Sequence, residues 1–167
     1  MPPALPFDPI EEAQRQWVAR GWADAADGMA AVTSLMRGQQ LVLARVDQLL
    51  RPLGLTFARY EVLMLLMFSS RGSLPLNVVG NRLQVHPTSV TSAVDRLEAQ
   101  GLVRRSPHPR DRRAVLAELT DAGRATAEQA SAQLNDQVFG DLGLDAADTA
   151  TLVGIVRKMR RAAGDFA

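Results

Sequence analysis

Between Leu76 and Thr120 the chain reads as a short helix, a tight turn, a second helix and two strands joined by an arginine-rich loop. The second helix opens at His86-Pro87, since proline suits the first helical position, where its fixed φ helps and its missing N–H is no loss. Val90, Ala93, Val94 and Leu97 then recur at helical spacing and make one apolar stripe. Thr88, Ser89, Thr91, Ser92, Asp95 and Arg96 fall on the faces turned away from it. Serine and threonine are weak helix formers, so either they cap the helix start or something outside the protein uses their hydroxyls. Side chains this short also let a helix seat deeply in a major groove about 12 Å wide.

The neighbouring segments fix the context. Leu76, Val79 and Leu83 give a short apolar-periodic helix, and Gln84-Val85-His86 has the length of a helix-turn-helix corner. Gly101 supplies the left-handed stop expected just past a helix end. Leu102 to Ser106 and Arg113 to Leu119 read as strands on either side of Pro107-His108-Pro109-Arg110-Asp111-Arg112, a loop too rich in proline and charge to be buried. This order is a winged helix-turn-helix with the loop as its wing. From Gly80 to Arg113 there are seven arginines (Arg82, Arg96, Arg104, Arg105, Arg110, Arg112, Arg113) against three acids (Asp95, Glu98, Asp111), a local charge of +4 in a chain whose total is +1. A solvated charged face is the ordinary meaning of such a cluster. On a reading helix and wing it is also the footprint of a surface that meets phosphate.

The flanks carry long apolar seams. Met29, Val32, Met36, Gln39, Leu43, Val46 and Leu50 alternate at spacings of three and four, and Leu152, Ile155, Val156 and Met159 form a second stripe behind the cap-like Asp145 and Asp148. Thr120 caps an alanine-rich helix between them, running to about Val138. Asp8-Pro9 begins a separate helix in which Ile10, Ala13 and Trp17 share a face, broken at Arg20-Gly21-Trp22. The expected fold is therefore mainly α with a small β-hairpin wing: a flexible tail over 1–7, a helical arm over 8–23, a dimerisation helix over 24–54, a winged helix-turn-helix DNA-binding domain over 55–119 and C-terminal dimerisation helices over 120–167. Trp17 and Trp22 either clamp the arm onto the dimerisation helices or help wall a small-molecule pocket.

At this point the sequence resembles the MarR family of bacterial transcriptional regulators. The resemblance rests on Leu83-Gln84-Val85-His86-Pro87-Thr88-Ser89-Val90-Thr91, on Val94-Asp95-Arg96-Leu97-Glu98, on Gly101-Leu102-Val103-Arg104-Arg105, and on a wing signature of Asp111, Arg113, Leu119 and Thr120 followed by Asp121-Ala122-Gly123. It spans about Thr33 to Ala163 and leaves the arm outside. It implies a homodimer that presents two recognition helices about one DNA turn apart to a pseudo-palindrome, most simply as a repressor. It also implies that Thr88, Ser89, Thr91, Ser92 and Arg96 face the major groove, that the wing arginines Arg110, Arg112 and Arg113 contact DNA, with Arg112 and Arg113 in the minor groove, and that Asp111 positions the wing by pairing with one of them. A small aromatic or phenolic effector is implied between the dimerisation helices and the reading head, with Trp22, Arg59, Tyr60 and Phe68 as candidate lining residues.

Composition closes other routes. Cysteine is absent, so a thiolate switch of the kind used by peroxide-sensing relatives is excluded. His86 and His108 are the two histidines, and both sit in the reading head rather than in a ligand cluster, so no metal or other cofactor is expected. His86 reads as a helix-entry residue and His108 as a solvated wing residue. The six methionines read as core filler rather than oxidation sensors. No phosphate loop, nucleophile elbow or carboxylate pair stands at a catalytic spacing, so no enzyme is expected. No apolar run has the length of a membrane span, and Met1 to Pro6 lack the features of a signal peptide, so the expected location is the cytoplasm. The alternative to a regulator is an architectural or protein-interaction winged helix that binds nucleic acid without sequence preference.

Overall fold

A computed structural model describes residues 4–111 and 114–167. The elements run α1 (Pro9–Ala19), α2 (Ala23–Leu50), α3 (Phe57–Phe68), β1 (Ser73–Pro75), α4 (Leu76–Leu83), α5 (Pro87–Ala99), β2 (Val103–Pro107), β3 (Val115–Leu119), α6 (Asp121–Leu134) and α7 (Ala146–Ala162), with a 3-10 turn at Arg51–Leu53 and a π-helical turn at Asn135–Phe139. The fold is mainly helical with a small wing, as the residue pattern implied.

Four helices, α1, α3, α6 and α7, begin where an Asp or Thr side chain takes an orphan amide. Asp8 accepts from the Ile10 N–H, Thr56 from Arg59, Thr120 from Gly123 and Asp145 from Asp148. The helix-turn-helix corner turns on Gln84, which adopts φ 54°, and Gly101 ends α5 at φ 72°.

The sheet departs from the expected two-stranded hairpin, because β1 joins it in the order β1-β3-β2, all antiparallel. Leu74 pairs with Ala117 and Arg105 pairs with Ala117 from the other side, so Ala117 is central and fully buried. Three residues are too few to show a period of two, which is why β1 left no sequence signal. The wing strands are also shifted: the first begins at Val103 rather than Leu102, and the second is described from Val115, with the expected start at Arg113 outside the described residues.

One continuous core joins the reading head to the long helices. Leu50 of α2, Leu63 and Leu66 of α3, Val79 of α4, Val94 and Leu97 of α5 and Leu134 of α6 are all fully buried within it. The approach of α6 to β2 is so close that a Cβ at Gly123 would stand 2.0 Å from the Leu102 carbonyl oxygen. Thr120 locks the same junction, its hydroxyl lying 2.8 Å from the Gly101 carbonyl and 2.9 Å from the Gly123 amide.

The seam of α2 is divided. Val46 and Leu50 enter the core, whereas Val32, Met36 and Leu43 stay exposed. α7 buries no residue, and Leu152, Ile155 and Met159 lie open along it. The arm helix α1 packs on α2, with Trp17 and Trp22 edge to face at 5.4 Å and Gln14 Nε2 donating to Asp27 Oδ1 at 2.7 Å. No helix among the described residues is long and apolar enough to cross a membrane.

Candidate nucleic-acid interface

α5 carries the expected surface. Val90, Val94 and Leu97 are buried beneath it, while Thr88, Ser89, Thr91, Ser92 and Arg96 are exposed on the outside. His86 sits at the N-cap, its Nδ1 accepting from the Thr88 amide at 3.3 Å and lying 3.1 Å from the Thr88 hydroxyl. The Thr91 hydroxyl donates back to the Pro87 carbonyl at 3.1 Å. The threonines are thus engaged within the helix and Asp95 and Glu98 with Arg105, which leaves Ser89, Ser92 and Arg96 as the outward side chains of α5 with no hydrogen bond or ion pair among the described residues. Arg96 makes no ion pair among them.

The wing is built around a second histidine. His108 Nδ1 accepts from the amides of Arg110 and Asp111, at 3.3 and 3.1 Å, and the His108 amide donates to Ala114 at 3.1 Å. A ring nitrogen that accepts two amides does the work an Asp or Asn side chain does in a tight turn. The sequence signal was available in its place before Pro109, but the turn is usually sought with Asp, Asn or Ser. Arg110 is exposed beside it. The Asp111 carbonyl accepts from the Ala114 amide at 3.1 Å, while the arginines expected beside it, Arg112 and Arg113, lie outside the described residues.

Two arginines of the basic cluster have structural partners. Arg105 of β2 reaches across to α5, 2.6 Å from Asp95 and paired also with Glu98, and its amide donates to Glu98 Oε1 at 3.0 Å. Arg104 pairs with Glu118 at 2.6 Å. Glu118 also accepts from the Ser106 hydroxyl at 2.5 Å; that bond, with the Arg104 guanidinium after it, holds the carboxyl below the ordinary carboxylate range. The net positive field therefore comes from fewer arginines than the sequence count, because Asp95, Glu98 and Glu118 are consumed by two of them.

The four candidate effector residues do not meet. Tyr60 and Phe68 line one cleft of about 710 Å³ with Met64, Ser131 and Phe139. Tyr60 is buried, its hydroxyl 3.0 Å from Ser131 Oγ, whereas Phe68 is 75% exposed. Arg59 lies elsewhere, beside α5, and Trp22 stands at the α1–α2 turn against Trp17. Successive residues of a helix are rotated by about 100°, so Arg59 and Tyr60, adjacent in sequence, point to different sites. Among the described residues no group of three His, Asp or Glu side chains is placed to hold a metal ion.

Comparison with known proteins bears on this geometry. A family model described as "MarR family" matches residues 53–114. The chain is 34% identical over 103 residues to the HTH-type transcriptional repressor MdtR of Bacillus subtilis, a match covering 57% of this chain and 65% of that protein. It is 32% identical over 118 residues to the multiple antibiotic resistance protein MarR of Escherichia coli, covering 68% of this chain and 79% of that one. The structure is similar to that of Sco5413, a MarR family transcriptional regulator from Streptomyces coelicolor, with TM-score 0.76 and 48% identity over 84% of this chain and 97% of the other. It is also similar to a mutant MarR from Escherichia coli complexed with operator DNA, with TM-score 0.73 and 26% identity over 81% and 96% of the two chains.

Proposed function

The chain belongs to the MarR family of winged helix-turn-helix transcriptional regulators, and we propose that it acts as a homodimeric repressor that reads a pseudo-palindromic operator. The observation that carries this reading is α5: a short-chained polar surface of Ser89, Ser92 and Arg96, flanked by Thr88 and Thr91, standing on a buried base of Val90, Val94 and Leu97 beside a positively charged wing. Seated in a major groove, that face offers hydroxyls and one guanidinium to base edges. Arg112 and Arg113 of the wing then meet the adjacent minor groove, whose negative potential attracts guanidinium groups, Arg110 contacts DNA beside them, and Asp111 positions the wing. The related regulator solved with operator DNA supports this docking.

Dimerisation is supported by what each chain leaves uncovered. Val32, Met36 and Leu43 on α2 and Leu152, Ile155 and Met159 on α7 are apolar surfaces with no cover of their own, and two-fold pairing of these helices buries them. A small aromatic or phenolic ligand is the proposed effector, bound in the cleft of Tyr60, Met64, Phe68 and Phe139, where aromatic walls surround the polar Tyr60–Ser131 pair.

The test is DNA binding to the protein's own upstream region across a salt series, with scrambled duplex as competitor, for the intact chain and for Arg112→Ala with Arg113→Ala. Preference for the upstream region, with a shallower salt slope in the double variant by up to about 0.9 per lost phosphate contact, is the expected result. Equal binding of any duplex replaces the regulator by an architectural protein, and no binding at all makes the winged helix a protein-interaction surface.

A further inference from the structure

An open recess of about 510 Å³ runs along one flank of α5, between that helix and the first turn of α3. Arg59, Thr56 and Ala58 form its α3 side, and Thr88, Ser89, Ser92 and Arg96 form its α5 side. Two guanidinium groups and four hydroxyls line it, and no carboxylate does. Arg59 makes no ion pair among the described residues, although it also borders a second cleft that Thr56, Arg51 and Asp47 line. The Arg59 guanidinium is held in place instead, its Nε donating to Thr56 Oγ1 at 3.2 Å, which leaves the two terminal nitrogens for another acceptor.

From this arrangement we propose that Arg59 is a DNA-backbone contact that clamps the phosphate strand flanking the recognition helix. The inference rests on the regulator reading of α5 and deepens it by assigning a residue outside the helix and wing. A helix with its side chains is about 10–12 Å across and the B-DNA major groove about 12 Å wide, so a helix seated in the groove brings a sugar-phosphate strand against each of its flanks. The first turn of α3 is what stands on the recess flank. A strand crossing there meets the paired terminal nitrogens of Arg59 opposite Arg96, in the geometry guanidinium groups use for phosphate oxygens. Arg96 and the serines face the bases, and Arg59 sets the depth and register at which they do so.

A phosphate clamp and a base reader leave different traces. Arg59→Gln keeps a side chain able to bond Thr56 and removes the charge, and Arg59→Lys restores a charge without the fork. With the full-length protein and its upstream region, Arg59→Gln is expected to reduce the salt slope by about 0.9 per protomer, to weaken all duplexes alike and to leave the order of sequence preference unchanged. Arg59→Lys is expected to recover most of the slope. A walk of single neutral methylphosphonate links through the duplex adds a measurement on the intact protein: one position per half-site should weaken the wild type and have no effect on Arg59→Gln. An unchanged slope in Arg59→Gln, or a changed sequence preference, overturns the assignment while the wild type's own selective binding leaves the regulator reading standing. A wild type that binds no DNA overturns both.

Discussion

Arg105 on the first wing strand and Asp95 on the recognition helix are joined at 2.6 Å, with Glu98, one turn further along α5, closing on the same guanidinium. The side chain that by composition belonged to the basic cluster is thus a strut between α5 and the first wing strand. Its side chain is 25% exposed, so solvent screens the pairing only in part.

Arg105→Ala is expected to destabilise the domain by about 1 kcal/mol, given the exposure of Asp95 and Glu98. For a chain of this size that is a fall in Tm of about 2–4 °C. DNA affinity should fall as the wing loosens, while the salt slope stays near that of the wild type, because no phosphate contact is lost. A slope that drops as far as it does for the wing arginines makes Arg105 a direct contact and removes the strut account.

Two carboxyl groups should give the stability opposite dependences on pH. The Ser106 hydroxyl and Arg104 hold Glu118 below its ordinary value, so its contribution is present above the unfolded value of about 4.3 and is lost as pH falls through the lower folded value. Burial raises Glu61, so its folded form takes a proton more readily, and its contribution is present at low pH and lost as pH rises through the raised value. Melting curves of Glu118→Gln and Glu61→Gln against wild type from pH 3 upward check both. The Glu118→Gln deficit should shrink toward acid and any Glu61→Gln gain should grow toward neutrality; the same sign of pH dependence for both contradicts the assignment.

In the cleft between α3 and α6, Tyr60→Phe removes a part-buried hydrogen bond to Ser131 and is expected to cost about 1 kcal/mol of stability. Phe68→Ala alters an exposed ring at the same cleft and should leave stability within about 0.5 kcal/mol of wild type. Calorimetry with a panel of aromatic acids should show both variants weakened in binding. Affinity that survives both substitutions places the effector outside this cleft.

Removal of residues 1–22 strips α1 and both tryptophans from α2. The expected outcome is a lower Tm and a weaker dimer, read by calorimetry and sedimentation, with the salt slope and sequence preference on DNA retained. Unchanged melting and unchanged dimer affinity remove the structural role of the arm.

The reading head was legible because each of its parts is specified locally. Pro87 after His86, the apolar run Val90, Val94, Leu97, the stop at Gly101 and the cap at Thr120 act over three to seven residues, and the structure places α4 at Leu76–Leu83 and α5 at Pro87–Ala99 accordingly. The third strand was not legible, because Ser73–Pro75 becomes a strand only through pairing with Leu116 to Glu118, more than forty residues away. The histidine that closes the wing was hidden for a related reason: His108 has the outward look of a solvated side chain, and its two amide partners appear only once the turn is made.

What the sequence determined by itself was the order of the helices and the two wing strands, the family resemblance and the faces of the helices, since these follow from periodicity and capping along one chain. What the tertiary structure decided was which charges remain available and which neighbours share a site. It withdrew Arg104 and Arg105 from the basic patch by setting them against Glu118, Asp95 and Glu98, and it turned Arg59 toward the recognition helix while Tyr60, one residue on, faces Ser131. The physical reason is that an ion pair or a cleft depends on distances across the fold, and a helix that rotates its side chains by about 100° per residue sends adjacent residues to different partners.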